Sequence, residues 1–428
     1  MSAPAEALSG AASLEAVAIF AVVYLGMVLG GLPRLQLDRT GVALLGAIAV
    51  VGLGLMTPEA AAQAIHLPTI VLLFAFMVIS AQMRLGGFYA AVTRALVALP
   101  LSPRSLLAWV VAVTGALSAV FSNDIVCLAV APVLARACLR RGLPPLPFLL
   151  GLACAANIGS AATLIGNPQN MLIGEVLKLP FAGYLWWALP PVVAGLALLW
   201  AWLAWRMPAQ LSAAGVPQAA AAPAPADDDP PFDRWQTAKG LAVALALVAV
   251  FLFSGWPRDV AALAGAGLLL LSQRFHSRQV MGLIDWELLI LFMGLFIVNA
   301  AFEATGLAAA GVAWLAAQGL HFAEPLPLFA GTLLLSNLVS NVPAVMLLLP
   351  VAADVAGSGG AHAGPTLALV STLAGNLLIV GSIANIIVVD AARREGVAID
   401  WRAHARTGVP VTLLTLAFTA AWLLWRAG

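Results

Sequence analysis

Long apolar runs with almost no charge recur along nearly the whole chain, and they fix its class. About 30 Å of hydrocarbon is crossed by a helix of roughly 17–25 such residues. Runs of this kind lie near 16–33, 40–57, 67–83, 184–205, 239–256, 259–273, 286–302 and 407–425. Composition agrees: of 428 residues, 62% are hydrophobic and only 9% charged, against about 25% charged in an average soluble domain. A water-soluble body of this size would lack the polar surface to cover itself. The expected fold class is an all-α polytopic membrane protein. Net charge is +1, so no nucleic-acid partner is expected. Cys127, Cys138 and Cys154 lie in apolar runs without CxxC spacing, which speaks against a disulfide framework or a zinc site. Residues 1–14 hold Glu6 and no Lys or Arg, so the first run reads as a retained helix rather than a cleaved signal.

Two further runs, near 147–174 and 364–389, carry no Lys or Arg but are interrupted by Gly, Asn, Ser and Pro. They read as broken helices. Two others, 105–135 and 325–353, are too long for one span, and each has a polar break, Ser122-Asn123-Asp124 and Ser340-Asn341 before Pro343. They read as re-entrant hairpins, giving about ten crossings and two hairpins. Placing the loop with Arg34 and Arg39 inside puts 17 of the 20 basic residues on that side; Lys178, Arg258 and Arg426 fall outside. Both termini then face outward, and the expected location is the bacterial inner membrane. Residues 208–238, rich in Ala and Pro with Asp227-Asp228-Asp229, read as a low-complexity cytoplasmic linker.

The halves on either side of that linker, 1–207 and 239–428, resemble each other at an offset near 218. LSAVFSNDIVCLAVAPV (117–133) parallels LSNLVSNVPAVMLLLPV (335–351), and IGNPQNMLI (165–173) parallels VGSIANIIV (380–388). Ser118, Ser122, Asn123 and Pro132 match Ser336, Ser340, Asn341 and Pro350, and Gly87 matches Gly306. Each half holds five crossings, so the second copy is inverted relative to the first. That is the plan of secondary transporters, whose site lies at mid-membrane where broken helices meet.

Polar residues at that depth are expensive and mark function or packing. Ser122-Asn123 and Ser340-Asn341 have the chemistry of helix N-caps, and each restarting helix aims N–H groups and a positive end at the bilayer centre, an anion site. Candidate substrate-binding residues are Ser122, Asn123, Ser340 and Asn341 at the tips, with Asn167, Asn170, Ser382 and Asn385 on the broken helices. Asp124, with Val342 opposite it, is the one carboxylate at a tip and suits a proton or a metal cation. Asn157 and Asn376 join it as expected ion-coupling residues. No cofactor is expected beyond Na+ or H+ as coupling ion, and no metal site beyond a sodium site. Cys127 reads as a buried thiol; as a functional group it would take a soft metalloid.

These motifs resemble the ion transporter superfamily, which includes divalent-anion/sodium symporters, arsenite permeases and bacterial sodium/proton antiporters. FSND (121–124), NIGSAATLIGNPQNMLIG (157–174), SNLVSNVPAVMLLLP (336–350) and VGSIANIIV (380–388) carry the resemblance, which runs from about 16 to 425 and is nearest to bacterial permeases with a citrate-transporter-like domain. It implies a scaffold and a mobile transport domain, elevator-type movement and a homodimer. It also implies sodium sites beside the tips at Gly159, Gly166 and Gly381. Where the dicarboxylate branch has Ser-Asn-Thr at its tips, this chain has Ser122-Asn123-Asp124 and Ser340-Asn341-Val342; the Asn-Asp pair is nearer to the arsenite permeases. Two functions therefore stand: a secondary transporter of a small anion coupled to sodium or protons, or an arsenite, metalloid or cation efflux permease. A polytopic membrane enzyme is the reading from another class; it lacks an HExxH motif and an acidic partner for Asp124, and no P-loop motif for ATP is present.

Overall fold

The computed structural model describes residues 10–207 and 231–427. The expected linker lies mostly outside the described residues, with its Asp triplet and residues 1–9. Within them run twenty α-helices in two sets of ten. The first set is α1 Gly10–Leu29, α2 Arg39–Gly52, α3 Pro58–Ala64, α4 Leu67–Leu85, α5 Phe88–Ala98, α6 Pro103–Val120, α7 Asn123–Arg140, α8 Pro145–Ser160, α9 Pro168–Val176 and α10 Phe181–Arg206. The second is α11 Arg234–Phe253, α12 Arg258–Leu270, α13 Ser277–Met281, α14 Trp286–Glu303, α15 Leu307–Ala317, α16 Pro325–Val339, α17 Asn341–Gly357, α18 Ala363–Ala374, α19 Ile383–Arg394 and α20 Trp401–Ala427. Each helix of the first set has its counterpart ten places later.

Seven helices, α1, α4, α6, α10, α11, α14 and α20, are long and apolar enough to cross a membrane. The expected crossings at 40–57 and 259–273 are shorter than anticipated: α2 has 14 residues and α12 has 13. At 1.5 Å per residue both span about 20 Å, less than the hydrocarbon core. Both are counterparts, and each packs against a long helix of the other half, α2 on α14 and α12 on α4. Four short helices, α3, α5, α13 and α15, were not anticipated, because runs of 5–11 residues carry no periodicity distinct from their surroundings. Two of them begin alike. Gly87 and Gly306 hold φ of 69° and 73° immediately before α5 and α15, a left-handed turn that redirects the chain after α4 and α14. α11 begins at Arg234, inside the stretch read as linker, because Asp233 caps it by accepting from the N–H of Trp235 and Gln236.

The runs 105–135 and 325–353 are helical hairpins whose arms pack on each other, α6 on α7 and α16 on α17. Each hairpin also packs on the broken helix that follows: α6 and α7 on α8, and α16 and α17 on α18. The chain unwinds between α8 and α9 (161–167) and again between α18 and α19, where a single 3₁₀ turn, Ile379–Gly381, intervenes. α10 and α20 pack on each other and flank the two units.

Candidate functional site

Both hairpin tips and both unwound segments converge at one place. A cavity of about 30 Å³ lies there, lined by Asn123, Asp124, Asn157, Gln169, Ser340, Asn341 and Ser382, with Pro168, Leu288, Val342 and Ile383. Every polar lining group is an amide, a hydroxyl or the single carboxylate of Asp124; no Lys, Arg or His lines it. Asp124 makes no hydrogen bond or ion pair among the described residues, so its carboxylate remains open to what enters the cavity. The volume suits an ion or a water or two. A larger solute needs the tips to separate.

One asparagine ties the halves together. Asn157 Nδ2 donates to Asn376 Oδ1 at 2.9 Å and to Asn385 Oδ1 at 3.2 Å. Its Oδ1 accepts from Ser382 Oγ at 2.8 Å and from Asn123 Nδ2 at 3.4 Å. A residue of the first broken helix thus contacts the first tip and three residues of the second broken helix, all of them buried. Asn385 Nδ2 in turn donates to the carbonyls of Gly375 and Leu378, satisfying backbone that the unwinding exposes. The carbonyl of Asn376 meets His404 Nε2 of α20 at 3.0 Å.

Four of the eight expected substrate residues lie outside the cavity lining: Asn385, bonded as above, and Asn167, Asn170 and Ser122. Asn167 caps α9, accepting from the N–H of Asn170 at 2.9 Å and donating to Ser160 Oγ and Thr372 Oγ1. Asn170 Nδ2 donates to the Thr163 carbonyl and to Tyr184 Oη. Both hold the unwound segment in shape and neither lines the cavity. Ser122 is also outside the lining; its N–H donates to Ser80 Oγ at 3.4 Å. Neither Ser122 nor Ser340 caps its helix through its side chain, contrary to the reading from residue type. Ser340 instead adopts φ 75° and ψ 162°, a region that only glycine enters freely, at a cost of about 1–3 kcal/mol. Ser122, at φ −53°, carries no such strain.

The glycines expected at ion sites are points of closest backbone approach. A Cβ on Gly166 would fall 2.4 Å from the Ser160 carbonyl oxygen and 2.7 Å from that of Ser118. Gly159 abuts the backbone of Gly115 in α6, and Gly381 lies against the carbonyl of Gly375. In the first repeat the carbonyl oxygens of Ser118, in the hairpin, and Ser160 are thereby gathered close together; in the second, those of Gly375 and Gly381 lie together within the unwound segment. In each hairpin, side-chain oxygens have no hydrogen-bond partner among the described residues: Ser118 Oγ and Asn123 Oδ1 in the first repeat, Ser336 Oγ and Asn341 Oδ1 in the second. These are the same two positions in each repeat, 218 residues apart. A buried, unsatisfied polar group costs about 1–3 kcal/mol. Hard oxygen donors fit a sodium ion or a proton carrier and not a soft metal. Ser118 and Ser336 stood in the repeat alignment, yet only the structure distinguishes them from ordinary packing serines. Gln169 and Leu288 entered the site without a counterpart in the other repeat to mark them.

The comparisons with known proteins agree with this architecture. The citrate transporter family profile matches residues 18–374. The silicon efflux transporter LSI3 of Oryza sativa subsp. japonica is 30% identical over 462 residues, spanning 93% of this chain and 95% of that protein. Two solved structures share the fold: the YdaH transporter of Alcanivorax borkumensis, with TM-score 0.58 and 17% identity over 97% of this chain and 98% of that one, and MtrF of Neisseria gonorrhoeae, described as an antimetabolite efflux pump, with TM-score 0.53 and 12% identity over 96% and 94%. The resemblance to the ion transporter superfamily is borne out, and the chain belongs to the citrate transporter family of membrane transporters.

Proposed function

We propose that the chain is a secondary active transporter that carries a small, oxygen-rich solute across the bacterial inner membrane by elevator-type alternating access, coupled to sodium or protons. The cavity between the two tips carries this reading. Both inverted repeats contribute to it, and its polar groups come in two related sets. Asn123 and Asn341 are the expected solute contacts, aided by the positive starts of α7 and α17. The paired oxygens at Ser118 and Asn123, and at Ser336 and Asn341, are the expected seats of coupling cations. With such a cation bound, a small anion is held without a basic side chain.

A second reading is efflux of a metalloid as its uncharged hydroxy acid, such as arsenous or silicic acid. Two observations favour it. No basic side chain balances Asp124 in the cavity, and the rice relative is named for silicon efflux. Amides and hydroxyls suit an uncharged solute that both donates and accepts hydrogen bonds. In both readings Asp124 is the residue to change. Asp124→Asn, in liposomes with an imposed pH or sodium gradient, is expected to leave the fold intact and abolish gradient-driven accumulation. Full gradient-dependent transport by that variant overturns its coupling role. Gradient-driven uptake of citrate or sulfate supports the first reading, and of arsenite or silicic acid the second.

A further inference from the structure

Each repeat holds a cavity beyond its tip, and the two cavities carry opposite charge. In the first repeat about 500 Å³ lies between α5, α7 and α19. Leu128, Ala129, Pro132 and Arg136 of α7 line it, with Arg84 near the end of α4. In the second repeat about 690 Å³ is lined by the matching residues of α17, Met346, Leu347, Pro350 and Asp354, with Glu303 at the end of α14. Arg84 and Glu303 stand three residues before the matched Gly87 and Gly306, and Arg136 and Asp354 stand four after the matched Pro132 and Pro350. At two equivalent places, then, an arginine in one repeat is a carboxylate in the other.

Pairing sharpens the contrast. In the first cavity Arg136 meets Glu395 at 2.7 Å and Arg394 meets Asp390 at 2.7 Å. Arg84, half-buried, has no ion pair or hydrogen bond among the described residues and is the charge left unbalanced. In the second cavity the charged lining groups are Glu303 and Asp354, neither of them ion-paired among the described residues. A guanidinium presents five donors in a fork that matches a carboxylate or an oxyanion, whereas two unpaired carboxylates repel both. Both volumes fall in the range of small-molecule sites, about 300–1,000 Å³. The helices also lead from the tips to these cavities. α7 lends Asp124 to the tip cavity and Leu128, one turn on, to the basic one, and α19 lends Ile383 and then Ile386 and Ile387. α17 does the same with Val342 and Met346. On the count of basic residues the first cavity opens inward and the second outward.

We propose that the Arg84 cavity is a second anion-binding site, separate from the tips, that takes a small carboxylate or oxyanion, and that its acidic counterpart in the other repeat excludes such anions. The site's place on the path of a solute rests on the transport reading; the binding itself does not.

The test uses the full chain with Cys127, Cys138 and Cys154 replaced by alanine and one reporter added, Ala129→Cys in the first cavity or Leu347→Cys at the equivalent place in the second. In phosphatidylcholine nanodiscs, where both faces are open, each is treated with a negatively and a positively charged methanethiosulfonate of similar size. The ratio of anionic to cationic rates is expected to be higher at position 129 than at 347. Arg84→Gln is expected to lower it at 129 by about tenfold, since one charge acts on the two reagents in opposite senses, and Arg84→Lys to keep it. Sulfate or citrate is expected to slow the anionic reagent at 129 and not at 347, and to do so equally with Asn123→Ala, which sets this site apart from the tip. Equal ratios at the two positions, or a ratio that ignores Arg84→Gln in folded protein, overturn the proposal. So does protection that is absent, or that disappears with Asn123→Ala. Protection seen only when phosphatidylglycerol is in the bilayer assigns a lipid headgroup to Arg84 and overturns its place on the solute's path. Uptake is read separately: protection at 129 in a chain that transports no anion keeps the site and removes the anion-transport reading.

Discussion

Single residues at the tips do different work in the two repeats. Ser340 occupies a left-handed backbone region that Ser122 avoids, so the second tip stores strain that the first does not. Ser340→Gly is expected to raise thermal stability by about 1 kcal/mol. If that variant melts lower than the parent, the strain is not there. Gly166 is the opposite case. Its missing Cβ is filled by two carbonyl oxygens that cannot rotate away. Gly166→Ala is expected to destabilise the fold by more than about 2 kcal/mol, whereas Gly52→Ala, with open space at the same point, is expected to be neutral. Equal melting curves for the two variants would contradict the close approach. The polar tip residues and the glycines were legible in the amino-acid sequence because they stand out against aliphatic helices. Their division of labour was not. Asn167 and Asn170 have the same chemistry as Asn123, and only the path of the unwound chain turns them toward Ser160, Thr163 and Tyr184.

Helices were legible to the extent that hydropathy marks them. The long spans, the hairpins and the broken helices announced themselves through length and polar breaks. α5 and α15 did not, since an 11-residue apolar helix lying beside a span reads as its continuation. Their left-handed glycines were visible only as matches between the repeats. One ion pair joins elements that hydropathy cannot connect. Glu175, near the end of α9, meets Arg258 Nε at 2.8 Å, and Arg258 also donates to the carbonyls of Gly174 and Leu179. The pair ties the first broken helix to the start of α12, and both side chains are largely buried. Removing one partner of such a pair costs about 3–5 kcal/mol. Arg258→Ala is expected to lower the melting temperature sharply, and Glu175→Gln together with Arg258→Met to recover much of the loss. Additive losses in the double variant would contradict direct pairing.

At the scale of the molecule, two matching sets of ten helices meet at one cavity. Asn157 of the first set bonds to Asn376, Ser382 and Asn385 of the second, so neither repeat forms the site alone. Apolar residues exposed on the long helices, such as Trp186, Phe253 and Trp425, face the surroundings that a bilayer supplies. The central claim is that a solute passes through the tip cavity, driven by a cation gradient. Uptake into liposomes holding the purified chain tests it most directly, with citrate, sulfate, arsenite and silicic acid offered under sodium and pH gradients. The account predicts saturable accumulation of one of these solutes, abolished by collapsing the gradient and lowered at least tenfold by Asn123→Ala or Asn341→Ala in folded protein. Accumulation that ignores both the gradient and these substitutions would contradict it.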